Sequence, residues 1–186
     1  AEDKREVLYY RLSLLLCAVF FSLGTTQLLL GKSSQVWICF TGMAISLGLS
    51  IKWIHIYLRP LHQALQFLWA IGCIGLAILF YHFGLQNMII GLTENSKWTI
   101  LIGPFFAALT GIGFKEFFCF RRFEAIGIAI FIPITLIGHI SQIINEKFIF
   151  LMLIISSLLL LLMGIRKFNL PPEADIGDKS VFDFLE

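Results

Sequence analysis

FIFLMLIISSLLLLLMGI, residues 148–165, runs for 18 positions without a charge. As a helix it would be about 27 Å long at 1.5 Å per residue, close to the roughly 30 Å of hydrocarbon in a bilayer. Glu146-Lys147 precede it and Arg166-Lys167 follow, so both ends carry groups that belong at a water interface. The rest of the chain has the same character. Of its 186 residues, 58% are hydrophobic and 14% charged, and 19 are Phe. A soluble domain has about 25% charged residues, and here the mean hydropathy is +0.87. A soluble globular enzyme, a disordered chain, a coiled coil and a nucleic-acid binder are excluded. The net charge of +2 is too small to imply an anionic partner.

Working outward from 148–165, five more apolar runs appear, at 7–30, 36–58, 61–83, 98–114 and 125–140. The expectation is an all-α, polytopic bundle of six transmembrane helices over residues 1–167, followed by a polar C-terminal tail at 168–186. Arg59-Pro60 separates the second and third runs, because a residue before proline is pushed out of the helical region. Pro104 and Pro133 fall inside the short fourth and fifth runs, where proline is expected to bend a helix. The loop 84–97 has an apolar MII centre that dips toward the interface. No internal repeat is evident. AEDKREVLYYRL at the start mixes acids with bases, and the run behind it is too long for the apolar part of a signal peptide.

Six spans divide the basic residues unevenly. Lys4, Arg5, Arg11, Lys52, Arg59, Lys115, Arg121, Arg122, Arg166, Lys167 and Lys179 fall on one side, and Lys32, Lys97 and Lys147 on the other. The excess of positive charge places both termini in the cytoplasm, or in the stroma of a plastid. Arg11 and Lys52 lie one to two turns inside their runs and are expected to snorkel outward. No Asp or Glu lies in the middle of any run, which argues against a proton-coupled pump.

Few residues carry recognisable chemistry. His55, His62, His82 and His139 sit at span ends and are candidate ligands for chlorophyll or haem, since one imidazole per pigment suffices. Satisfied interfacial histidines are the plainer reading. Cys17, Cys39, Cys73 and Cys119 form no CxxC pair and read as apolar filler. There is no GxSxG, no HExxH and no acidic metal motif, so neither enzyme activity nor a metal is expected. Ser46, Ser50, Ser156 and Ser157 are expected to bond carbonyls of their own or a neighbouring helix. The stretch KEFFCFRRFE, 115–124, reads as a short interfacial helix. Phe117, Phe118, Arg121 and Arg122 would contact lipid or a partner there. In the tail, DIGDKSVFDFLE places Asp178 and Phe182 as candidate contacts, with Ser180 as the cap of a last short helix.

GFKEFFCFRRFEA, followed by a proline-bearing span, and the closing DIGDKSVFDFLE resemble an uncharacterised family of small integral membrane proteins from cyanobacteria and plastids. The resemblance implies a thylakoid membrane and a link to oxygenic photosynthesis. It supplies no catalytic residues. The function it points to is an accessory subunit or assembly factor. Such a protein would dock on a larger membrane complex, with a photosystem as first choice, and hold a few chlorophylls or carotenoids besides membrane lipid. The alternatives are a small transporter or channel for an uncharged or anionic solute, lined by the fourth and fifth spans, and a membrane enzyme acting on a lipid or isoprenoid.

Overall fold

The computed structural model describes residues 2–54, 56, 59–172 and 175. Among them the fold is all-helical: α1 Glu2–Leu29, α2 Val36–Trp53, α3 Arg59–Phe83, α4 Met88–Glu94, α5 Gly103–Phe120, α6 Phe123–Ser141 and α7 Glu146–Lys167. Short 3-10 segments at Ser33–Gln35 and Ser96–Leu101 lead into α2 and α5. Five helices are long and apolar enough to cross a membrane: α1, α2 with its leading turn, α3, α6 and α7. The 18-residue α5 is not among them. Lys115 and Glu116, in its last two turns, lower its hydropathy.

The helix ends follow from local chemistry. Gly31 and Gly84 take positive φ, +71° and +77°, where the chain leaves α1 and α3, and a side chain would be strained there. The Asn145 side chain caps α7 by accepting from the Lys147 amide at 3.0 Å. Pro104 falls in the first turn of α5, where no helical N–H is lost. The sequence expectation of a bend there is corrected: Pro104 starts a helix. Pro133 does lie inside α6. The second run also ends sooner than expected, because Ile54 turns to an extended conformation with ψ of 129°.

The six long helices close a ring. α1 packs on α2 and α7, α7 on α6, α6 on α5, α5 on α3, and α3 back on α2. Tyr10, Leu14, Leu47, Phe105, Leu109 and Ile128 are all almost completely buried inside it. Glycine permits the closest contacts. A Cβ on Gly75 would fall 1.9 Å from the Leu101 carbonyl oxygen, and one on Gly48 would fall 2.5 Å from the Trp69 ring. Trp69 lies flat enough on α2 to donate to the Ala44 carbonyl at 2.9 Å. Ile45, Phe67, Ile74 and Leu158 face outward and are mostly exposed, as lipid-facing residues are. The small α4 and the 3-10 segment after it pack across one end of the ring, against α3 and α6.

Candidate functional site

Two features at opposite ends of the ring stand out: a buried ion cluster and an apolar cavity. The cluster draws on four parts of the chain. Tyr10 and Arg11 come from the first turns of α1, Lys115 and Glu116 from the end of α5, Lys167 from the end of α7, and Asp175 from the segment after it. Glu116 is its centre and is completely buried. Its Oε1 accepts from the Tyr10 hydroxyl at 2.7 Å and from Lys115 Nζ at 3.2 Å. Its Oε2 accepts from Lys167 Nζ at 2.5 Å. Lys167 Nζ also lies 2.6 Å from Asp175 Oδ1. The other oxygen of Asp175 accepts from Arg11 Nε at 2.8 Å and Nη2 at 2.6 Å. Arg11 then donates to the Leu170 and Pro171 carbonyls, strapping the post-α7 segment against α1.

Charges taken out of water survive only if they are paired and fully bonded. Here three cations, Arg11, Lys115 and Lys167, meet two carboxylates, Glu116 and Asp175. The surplus positive charge lies among aromatic faces: Lys167 Nζ is 4.3 Å from the Phe120 ring centroid and 5.0 Å from that of Tyr10. A second group sits beside it. Arg166 reaches Glu124 at 3.1 Å, and Arg122 lies 3.6 Å from the same oxygen. The cluster groups bond one another and are closed to solvent, so the arrangement can seal and lock but presents no free nucleophile.

The cavity lies at the far end, about 22 Å further along α1 between Tyr10 and Thr25 at 1.5 Å per residue. It has a volume of about 390 Å³. Phe20, Phe21, Phe40, Met43, Phe106 and Leu153 give it apolar walls. Its polar lining includes Thr25, Thr93, Thr99, Thr135, His139 and Glu146. Three of these hydroxyls are spent on their own helices: Thr25 donates to Phe21 O, Thr93 to Ile90 O and Thr135 to Phe131 O. Thr99 differs. It is 4% exposed and its hydroxyl has no partner among the described residues.

The residues singled out from sequence are not brought together. His62 Nε2 lies 2.8 Å from the Ile51 carbonyl, and His139 Nε2 lies 3.3 Å from that of Leu92. His82 is exposed, with its ring tilted against Phe83 and edge-on to Trp98. His55, Asp178 and Phe182, with Ser180, lie outside the described residues. The interfacial helix expected over 115–124 is corrected: 115–120 are the last turns of α5. The chain reverses at Arg121, which takes a left-handed conformation with φ of 49°, and α6 begins at Phe123. Phe118 is 75% exposed and Phe123 83%, while Phe117 and Arg122 are half-buried and Arg121 is exposed. The snorkelling expected of Arg11 is also corrected. At 5% exposed it points into the bundle, because Asp175 is there to meet it. Ser46, Ser50 and Ser157 do bond carbonyls of their own helices, whereas the buried Ser156 hydroxyl has no partner among the described residues. Among the described residues no group of three or more His, Cys, Asp or Glu could hold a metal.

The sequence does not announce the cluster because Lys115-Glu116 reads as the start of an interfacial helix and Asp175 as tail. The available signal was the isolated Glu116, set between Phe114-Lys115 and the Phe117-Phe118 pair, with Lys115 its single basic neighbour.

Residues 49–184 match a family model described as "Uncharacterized integral membrane protein (DUF2301)". An uncharacterized protein of Haemophilus influenzae is 30% identical over 129 residues, covering 69% of this chain. The match spans 66% of that relative, just under two thirds of its length. No solved structure matches significantly.

Proposed function

Because the chain belongs to this uncharacterised integral membrane family, DUF2301, we propose that it is a small carrier for an uncharged solute, working from within the bilayer. The observation behind this reading is the asymmetry of the ring. A cavity lies toward one end, with Thr93, His139 and Glu146 from helix ends in its lining, the buried Leu14, Leu47, Phe105 and Leu109 lie outside that lining, and the other end is locked by charge. That is how a carrier with one side closed is built. In the same reading α5 is the sixth span. The cluster end faces the cytoplasm, in keeping with the eleven basic residues on that side against three. Transport then requires the cluster to open, and Pro133, inside α6, supplies a bend where the ring can part.

The test needs no knowledge of the solute. Cys39 lines the cavity and serves as a native reporter once Cys17, Cys73 and Cys119 are replaced. In oriented proteoliposomes, a membrane-impermeant maleimide should reach Cys39 from the cavity end only. Asp175→Asn should weaken the lock, raising the rate from the cluster end at least fivefold and lowering it from the other. Reaction from the cavity end alone in both proteins would refute the carrier reading. Cleavage of the two termini from opposite sides of the vesicle would refute the topology.

Docking on a photosynthetic complex remains a second reading. It is supported by the resemblance over 113–125 and 175–186 and by the exposed rings of Phe118 and Phe123 beside Arg121. In that reading the membrane is a thylakoid, and the exposed ring of His82 is the first place for a chlorophyll. The Haemophilus influenzae relative carries the similarity outside the cyanobacteria and weighs toward a bacterial plasma membrane. Migration of the tagged protein with a pigmented complex on a native gel would favour docking. Migration alone and colourless would remove it.

A further inference from the structure

The carrier reading leaves the solute open, and the cavity narrows it. Its volume of about 390 Å³ lies within the range of about 300–1,000 Å³ of small-molecule sites. That is room for one chain and too little for a two-chain lipid. The walls are aromatic and aliphatic. The ionisable groups lining it, His139 and Glu146, sit at helix ends, and no counter-charge lies among the apolar walls. A charged solute would lose its hydration there without replacement. One demand is left unmet: the Thr99 hydroxyl, buried at the cavity wall without a partner, while Thr25, Thr93 and Thr135 are occupied. A buried hydroxyl left unbonded is costly, and a ligand oxygen would relieve it.

We infer that the cavity binds an uncharged single-chain alcohol, its chain among Phe20, Phe21, Phe106 and Leu153 and its oxygen bonded to Thr99 Oγ1. This inference rests on the carrier reading for its biological use but is tested separately, by binding. The surrounding bilayer concentrates molecules of this class, so the ligand need not arrive through water.

The probe is a twelve-carbon primary alcohol with a photoreactive diazirine in its chain. It is used on the full-length protein in lipid nanodiscs, and the labelled residues are mapped by mass spectrometry. Matching probes with the hydroxyl removed, or replaced by a phosphate, complete the set. The alcohol should label cavity-wall residues, with competition by unlabelled dodecan-1-ol, and the phosphate at least fivefold less. Thr99→Val should lower labelling by the alcohol about fivefold, the size of one neutral hydrogen bond, and leave the hydrocarbon unchanged. Thr99→Ser should restore it. Labelling spread over the lipid-facing Ile45, Phe67 and Ile74 would overturn the inference. So would equal labelling by alcohol and hydrocarbon with no effect of Thr99→Val. Cavity labelling with no change in Cys39 accessibility in Asp175→Asn would sink the carrier and keep the site. The reverse pattern would sink the site and keep the carrier.

Discussion

Replacing Glu116 by Ala should be among the most damaging single changes available in this protein. The side chain is fully buried and satisfies Tyr10, Lys115 and Lys167 at 2.7, 3.2 and 2.5 Å. Without it, Arg11, Lys115 and Lys167 face Asp175 alone, and the Tyr10 hydroxyl loses its acceptor. Breaking a buried pair by removing one partner costs about 3–5 kcal/mol. At about 2–4 °C per kcal/mol for a chain of this size, the midpoint should fall by about 6–20 °C. The internal control is Arg166→Ala. The Arg166 side chain is 53% exposed although it touches Glu124, and a half-exposed pair contributes about 1 kcal/mol or less. The double change Glu116→Leu with Lys167→Met should recover most of the loss, because charge and counter-charge leave together. The assay is thermal unfolding by circular dichroism, with every variant in the same detergent and at the same scan rate. If Glu116→Ala melts within about 4 °C of the parent, alongside Arg166→Ala, the cluster is hydrated and the reasoning fails.

Gly75→Ala should destabilise by about 1–3 kcal/mol in the same assay, since its Cβ would fall 1.9 Å from the Leu101 carbonyl oxygen. Gly103→Ala, with nothing within 4 Å, should be neutral or slightly stabilising. Asp175→Asn should loosen the strap after α7 and speed tryptic cleavage after Lys167, now completely buried, at least tenfold. An unchanged rate would mean that Asp175 does not hold the segment. A small maleimide in detergent should modify Cys119 first and Cys17 last, following exposed against fully buried positions, with loss of free thiol read by mass. Equal rates would contradict the packing of α1.

The membrane-spanning runs were legible because an apolar stretch of span length has few other uses in a protein. The first, third and sixth runs match α1, α3 and α7 to within a few residues at most ends. The errors have physical causes. The run 36–58 contains no breaker before Arg59-Pro60, so nothing local announces that α2 stops at Trp53. Pro104 reads as a bend because a hydrophobicity pattern does not say where a helix begins, whereas in a first turn no helical N–H is lost to proline. Lys115 and Glu116 read as part of an interfacial helix because charge next to a span normally belongs at the membrane boundary. Their partners, Tyr10, Lys167 and Asp175, come from both ends of the chain, and no periodicity reports a contact 51 or 106 residues away. The cavity has the same origin. It is lined by residues of α1, α2, α4, α5, α6, α7 and the 3-10 segment that carries Thr99, and Thr99 has meaning only once those elements surround it.

The reach of that cluster along the chain has a consequence for synthesis. Glu116 leaves the ribosome 51 residues before Lys167. At about 5–20 residues per second the wait is about 3–10 s. Through that interval α5, the one of the six long helices that is not long and apolar enough to count as a span, has to sit in or beside the bilayer with only Tyr10 and Lys115 to hold its carboxylate. The carboxylate of α5 is therefore satisfied by Lys167, the last residue of α7. A chain that stopped at residue 145 would keep α1, α2, α3 and α6 and leave the Glu116 carboxylate with Tyr10 and Lys115 alone.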